Sequence, residues 1–117
     1  MATADGRHAR ARLALAAAER LASANVNTVA DDLGVSERHL RRVFRETIGV
    51  SPKAFAKLTR FHRALSAARQ DAHAGWASIA TAAGYYDQAH LIAEFRAIAG
   101  VTPRALLREL RAPPLVG

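Results

Sequence analysis

The stretch "GVSERHLRRVFRETIGVSP", Gly34 to Pro52, sets four arginines against two acids between Gly34 and Glu46. Further along, "GYYDQAHLIAEFRAIAGVTP", Gly84 to Pro103, repeats its frame with almost all of that charge gone. Val29-Ala30 matches Ile79-Ala80 and Gly34 matches Gly84, each pair 50 positions apart. Ser36 matches Asp87, Leu40 matches Leu91, Phe44-Arg45 matches Phe95-Arg96, and Gly49-Val50-Ser51-Pro52 matches Gly100-Val101-Thr102-Pro103, all 51 apart. The second turn, "GYYD" against "GVS", is therefore one residue longer. Self-similarity at a fixed spacing marks two copies of one structural unit.

Each copy reads as a short helix, a glycine turn and a capped longer helix, which is the helix-turn-helix plan. Nothing alternates apolar and polar long enough for a strand, so the fold class is all-α. Helices are expected at about 7–23, 28–33, 37–47, 52–69, 76–82, 88–98 and 103–110, with "SANVN" as a loop. Gly34 and Gly84 end the short helices in left-handed backbone. Ser36 and Asp87 accept a hydrogen bond from an orphan N–H at the start of the longer ones. Ser51 is the next such cap, with Pro52 at the first helical position, where its missing N–H costs nothing. The expected organisation is a first unit over about 7–50, a long joining helix over about 52–69 and a second unit over about 76–110. Pro113 and Pro114 end the last helix, leaving residues 111–117 as a tail.

With Leu40 at zero and about 100° per residue, Val43 and Phe44 flank it in an apolar stripe. Arg38, Arg41, Arg42 and Arg45 fall in one arc of about 100° on the opposite side. A charge run is often only a solvated helix face. Such a face normally mixes signs for i,i+4 pairing, and although Glu37–Arg41 and Arg42–Glu46 are available, this arc stays positive. On the second helix of a helix-turn-helix, that side faces the major groove. Guanidinium groups match guanine O6 and N7 bidentately and phosphate oxygens nearly as well. Arg38, Arg41 and Arg42, nearest the helix N-terminal half, are the candidate base contacts. Arg45, a turn later, and Ser36 are candidates for phosphate.

The equivalent face of the second copy reads Gln88, Ala89, Ile92, Ala93 and Arg96. Gln88 offers a bidentate amide suited to adenine, and Ala89 or Ile92 offers contact with a thymine methyl. Direct reading of bases and simple packing, against the duplex backbone or against protein, both remain open for this face. Arg96 is a phosphate candidate. In the joining helix, Phe55, Leu58, Phe61 or His62, and Leu65 are expected inward. Lys53, Lys57 and Arg60 recur on another face, either tracking phosphates or serving solubility. Trp76 is expected as a core or hinge anchor, and Tyr85 and Tyr86 as packing in the longer turn, with a hydrogen bond to phosphate as the alternative.

The bulk numbers agree. The chain has 117 residues with 17 Lys and Arg against 10 acids, a net charge of +7 and a pI near 11.2. Such a balance favours a polyanion, nucleic acid before an anionic membrane surface. No cysteine is present, which removes disulfides, thiolate catalysis and zinc-finger ligation and fits a reducing cytoplasm. The apolar run from Leu13 to Ala18 is too short for a membrane span and too weak for a signal-peptide core. Instead, Leu13, Ala17 and Leu21 make an ordinary amphipathic helix. No serine–histidine–acid set, metal-ligand cluster or glycine-rich phosphate loop is found, so no catalytic residue, metal or cofactor is expected. His39 and His90 hold equivalent repeat positions, which points to structure; His8, His62 and His73 are scattered.

The two copies resemble the AraC/XylS family of bacterial transcription regulators over about residues 10–110. The likeness is carried by "VADDLGVSERHLRRVFRETIGVSP", by the joining "AFAKLTRFHRALSAAR", and by "SIATAAGYYDQAHLIAEFRAIAGVTP" with Gly84, Asp87, Leu91, Phe95, Gly100 and Pro103. It implies seven helices, with two helix-turn-helix units held apart by the joining helix and entering successive major-groove segments. It places base contacts on Arg38, Arg41 and Arg42, and on Ala89, Ile92 and Ala93. Position 93 is commonly arginine in the family but alanine here, and Ile92 replaces a small polar residue, so the second unit is the weaker reader. The implied role is sequence-specific regulation on double-stranded DNA, in the cytoplasm with the nucleoid, by a monomer without membrane contact. RNA polymerase is a further implied partner, touched by acids such as Asp31 or Asp32. Alternatives are the DNA-binding portion of a longer sensor-regulator or DNA-repair regulator, and a helical protein-interaction module docking on RNA polymerase. The sensing or dimerising domain that most of the family carries is not within these residues.

Overall fold

The computed structural model describes residues 2–71 and 73–111, and all regular structure within them is α-helical. Seven helices follow in order: α1 (Ala2–Arg20), α2 (Val26–Asp32), α3 (Glu37–Ile48), α4 (Pro52–Gln70), α5 (Trp76–Ala83), α6 (Gln88–Ala99) and α7 (Pro103–Arg111). The expected tail and its two prolines lie outside the described residues.

Local chemistry sets these boundaries. The Ser36 hydroxyl accepts from the His39 N–H at 3.1 Å, and the Asp87 carboxylate accepts from the His90 N–H at 2.8 Å. Ser51 and Thr102 cap α4 and α7 in the same way, at 3.1 and 3.2 Å. Each short helix ends in one bonding pattern. Val35 N–H donates to Ala30 C=O and Gly34 N–H to Asp31 C=O, mirrored by Tyr85 to Ala80 and Gly84 to Thr81. This double bond is the Schellman closure, and it requires the left-handed backbone seen at Gly34 (φ 71°) and Gly84 (φ 100°). The two copies thus share their stop signal as well as their start signal.

Two expected boundaries shift. α2 begins at Val26 because Asn25, read as loop, is its cap: the side chain accepts from the Thr28 N–H at 2.9 Å. α1 begins earlier and stops at Arg20, after which Leu21 and Ala22 stay buried in the turn.

The described residues divide into two units, with the break between Thr59 and Arg60 inside α4. In the first, Leu40 and Phe44 of α3 pack on Ala14, Ala17 and Leu21 and on Val29 and Ala30. The Phe55 ring closes edge-on against Phe44 at 5.4 Å between centroids. Alanines along α1 let it approach α3 closely. In the second, Leu91 and Phe95 of α6 pack on Ile79, Ala80 and Ala83 and on Ala64 and Ala68, with Phe61 at 4.4 Å from Phe95.

Four expectations for packing need correction or refinement. Leu58 is 48% exposed, and Pro52, Ala56, Ala64 and Ala68 are the buried positions of α4. Phe61 packs inward, whereas His62 is exposed. Trp76 is partly buried against the second core, as an anchor. The tyrosines separate: Tyr85 is buried, but Tyr86, the extra residue of the longer turn, is 90% exposed.

Candidate nucleic-acid interface

α3 presents two chemically distinct sides. Leu40, Val43 and Phe44 are fully buried, while Arg38, Arg41, Arg42 and Arg45 are all exposed. The arginines are lightly restrained. Arg41 approaches Glu37 at 3.8 Å, a pair open to solvent and therefore weak. Arg42 does not reach for Glu46; its Nη2 donates to His39 Nδ1 at 3.1 Å, leaving the ring proton on Nε2. That contact turns the Arg42 guanidinium toward the N-terminal half of α3, the half nearer base edges in helix-turn-helix docking. Ser36 accepts the cap bond through its hydroxyl oxygen, and its O–H remains a donor. Lys53 and Lys57 are exposed on the first half of α4.

α6 presents a face of another kind. Gln88, Ala89, Ala93 and Arg96 are exposed, while Ile92 is half-buried against the second core. Gln88 and Ile92 line a groove with Trp76, Thr102, Pro103 and Arg104. Part of the apolar side chain expected to meet a base is thus already committed to protein.

Arg60, expected on a face that tracks phosphates or serves solubility, is paired within the protein. Its Nε and Nη2 donate to Glu94 Oε1 and Oε2 at 3.2 and 3.0 Å, a forked pair with side chains only 20% and 7% exposed. Glu94 occupies the position that Val43 holds in the first copy, so the second unit has a carboxylate where the first has a methyl-bearing core residue. A buried carboxylate demands a partner, and the planar guanidinium satisfies both oxygens. His90 extends the cluster: Nδ1 accepts from the Tyr86 N–H at 3.2 Å, and Nε2 faces Glu94 Oε2 at 3.6 Å. The Tyr85 ring stands edge-on to His90 at 5.2 Å and beneath the Arg60 guanidinium at 5.7 Å. Among the described residues its buried hydroxyl makes no hydrogen bond of good geometry. Burial first, and the Glu94 charge second, raise the Tyr85 phenol above its ordinary value.

Sequence reasoning named Arg60, Tyr85 and His90 separately but not their meeting at Glu94, and gave no role to Arg104, Arg108 and Arg111 of α7, which are exposed. The His90–Glu94 spacing of i,i+4 and the α7 spacing of i,i+4,i+7 were the available signals. No group of side chains suited to hold a metal occurs among the described residues, and no described helix is long and apolar enough to cross a membrane.

A family profile described as a helix-turn-helix domain matches residues 29–109, from the buried end of α2 through both turns to α7. The chain belongs to the AraC-type helix-turn-helix family. Among solved structures, the AraC-type fold recurs in the C-terminal domain of AraT, a response regulator from Geobacillus stearothermophilus. That likeness has a TM-score of 0.74 at 21% identity and covers 91% of this chain and 88% of that one. A transcriptional regulator from Chromobacterium violaceum, described among AraC-type DNA-binding domain-containing proteins, gives 0.71 at 24% identity, covering 94% and 99%. A DNA-binding transcriptional dual regulator from Escherichia coli K-12 gives 0.66 at 23%, covering 86% and 89%. Comparison with curated proteins finds no match. The AraC-type assignment accounts for the paired units and for the all-α content.

Proposed function

We propose that this AraC-type chain is a transcription regulator that binds double-stranded DNA and reads sequence chiefly through α3. Arg38, Arg41 and Arg42 are the base contacts, and Ser36, Arg45, Lys53, Lys57 and Arg96 hold phosphates. Gln88, Ala89, Ile92 and Ala93 of α6 make a second contact with less power to discriminate, since only Gln88 among them is a bidentate partner for a base. The observation that carries this reading is the α3 face itself, where four exposed arginines stand over a fully buried apolar stripe. Among the described residues each has at most a weak partner to relinquish on binding.

Selection of bound duplexes from random DNA tests the proposal. One patch rich in guanine contacts, with a poorer second patch, is the expected outcome. Two equally informative patches would contradict the dominance of α3.

A further inference from the structure

We infer that α7 carries a second, sequence-independent DNA contact: Arg104, Arg108 and Arg111 form a comb for the phosphate backbone. This rests on the DNA-binding reading above. At about 100° per residue the three side chains fall within an arc of about 60°. Together with Leu107 they line one open groove on the surface of the second unit. Glu109, the only acid of α7, lies about 140° from Arg104 and cannot interleave with them. Among the described residues none of the three makes an ion pair, and their one hydrogen bond is from Arg111 Nη2 to the Ala68 carbonyl at 3.4 Å.

Helix-dipole stabilisation accounts for only part of the pattern. Arg108 and Arg111 sit in the last turn, where cations are favoured, but Arg104 sits in the first, where the dipole disfavours one. Arg104 also borders the groove that Gln88 and Ile92 of α6 line, so the comb begins at the recognition face of α6. A strand backbone crossing that face meets Arg104 first and then follows the helix. The comb spans about 10 Å along the axis at 1.5 Å per residue, enough to reach neighbouring phosphates of one strand. Guanidinium forks suit phosphate oxygens. An acidic protein would satisfy the same charges, but nothing ties such a partner to the α6 face. The comb therefore assigns to the second unit the work of gripping the duplex, which its base-reading face is poorly equipped to share.

The test compares the full chain with the triple variant Arg104→Gln/Arg108→Gln/Arg111→Gln, titrating duplex DNA across a range of salt concentrations. Each lost phosphate contact lowers the log–log salt slope by about 0.9, so a fall of between about 2 and 3 is expected. The loss should be equal on a preferred and a random duplex, and the triple lysine variant should keep the slope. Circular dichroism checks the fold; should the triple variant unfold, Arg108→Gln alone should lower the slope by about 0.9. An unchanged slope in a chain that binds duplex normally overturns the comb and leaves the DNA-binding reading intact. Failure of the unaltered chain to bind any duplex overturns both.

Discussion

The Arg60 guanidinium grips both oxygens of the Glu94 carboxylate, at 3.2 and 3.0 Å, across 34 residues of chain. The pair joins the middle of α4 to the inner side of α6, where the first unit uses Val43. Breaking such a pair by removing one partner leaves an uncompensated buried charge, which costs about 3–5 kcal/mol. Arg60 keeps a fifth of its surface in water, so Glu94→Ala should fall near the lower figure. The double variant Arg60→Leu/Glu94→Val, which places the valine of the first unit at position 94, should recover most of that loss. Urea unfolding of the single and double variants checks this. A double variant as unstable as the single one would mean the pair is not what binds these helices.

Tyr85 makes alkaline stability a local measurement. Its phenol has a folded pKa raised above the unfolded value of about 10, because burial and the Glu94 charge oppose ionisation. The neutral ring therefore contributes stability that is fully present below about pH 10 and is lost as pH rises toward the folded value. In Tyr86→Phe, Tyr85 is the sole tyrosine, and its absorbance change should begin above pH 10 and coincide with loss of helicity. Tyr85→Phe should resist alkali better than the unaltered chain. Ionisation near pH 10 in a fully helical protein would contradict the buried placement.

The start signals of α3 and α6 should be equivalent in energy despite their different residues. Ser36→Ala and Asp87→Ala each remove one acceptor for an N-terminal N–H, at a cost of about 1 kcal/mol. Thermal unfolding of the two variants, with each residue returned to Asn as a rescue, checks the claim. Tyr86→Ala is the contrasting control: its exposed side chain should shift stability by less than about 0.5 kcal/mol.

Much of this architecture was legible in the sequence because it is written locally. Leu40, Val43 and Phe44 at helical spacing fix the buried side of α3, and the arginines then have only one direction to point. Ser36, Asp87, Gly34 and Gly84 announce their own helix ends through short-range hydrogen bonds. What escaped reading depends on partners distant in the chain. Arg60 looks like any exposed cation until Glu94 is brought to it by folding. Leu58 sits in a helical apolar pattern, yet pattern alone does not say that a neighbouring alanine takes the core position. Tyr85 and Tyr86 are identical residues whose fates part because the longer turn turns one in and leaves the other out. The arginines of α7 were visible, but only their arrangement around a shared groove distinguishes them from surface charge.

The most direct measurement is equilibrium binding to a selected duplex by Arg41→Ala, Arg42→Ala and Ile92→Ala. A bidentate guanine contact discriminates by about 1–3 kcal/mol, so each arginine variant should bind between about 5-fold and 150-fold more weakly. Ile92→Ala should lose well under that. Equal losses from α3 and α6, or arginine variants that bind like the unaltered chain, would contradict the claim that α3 is the principal reader.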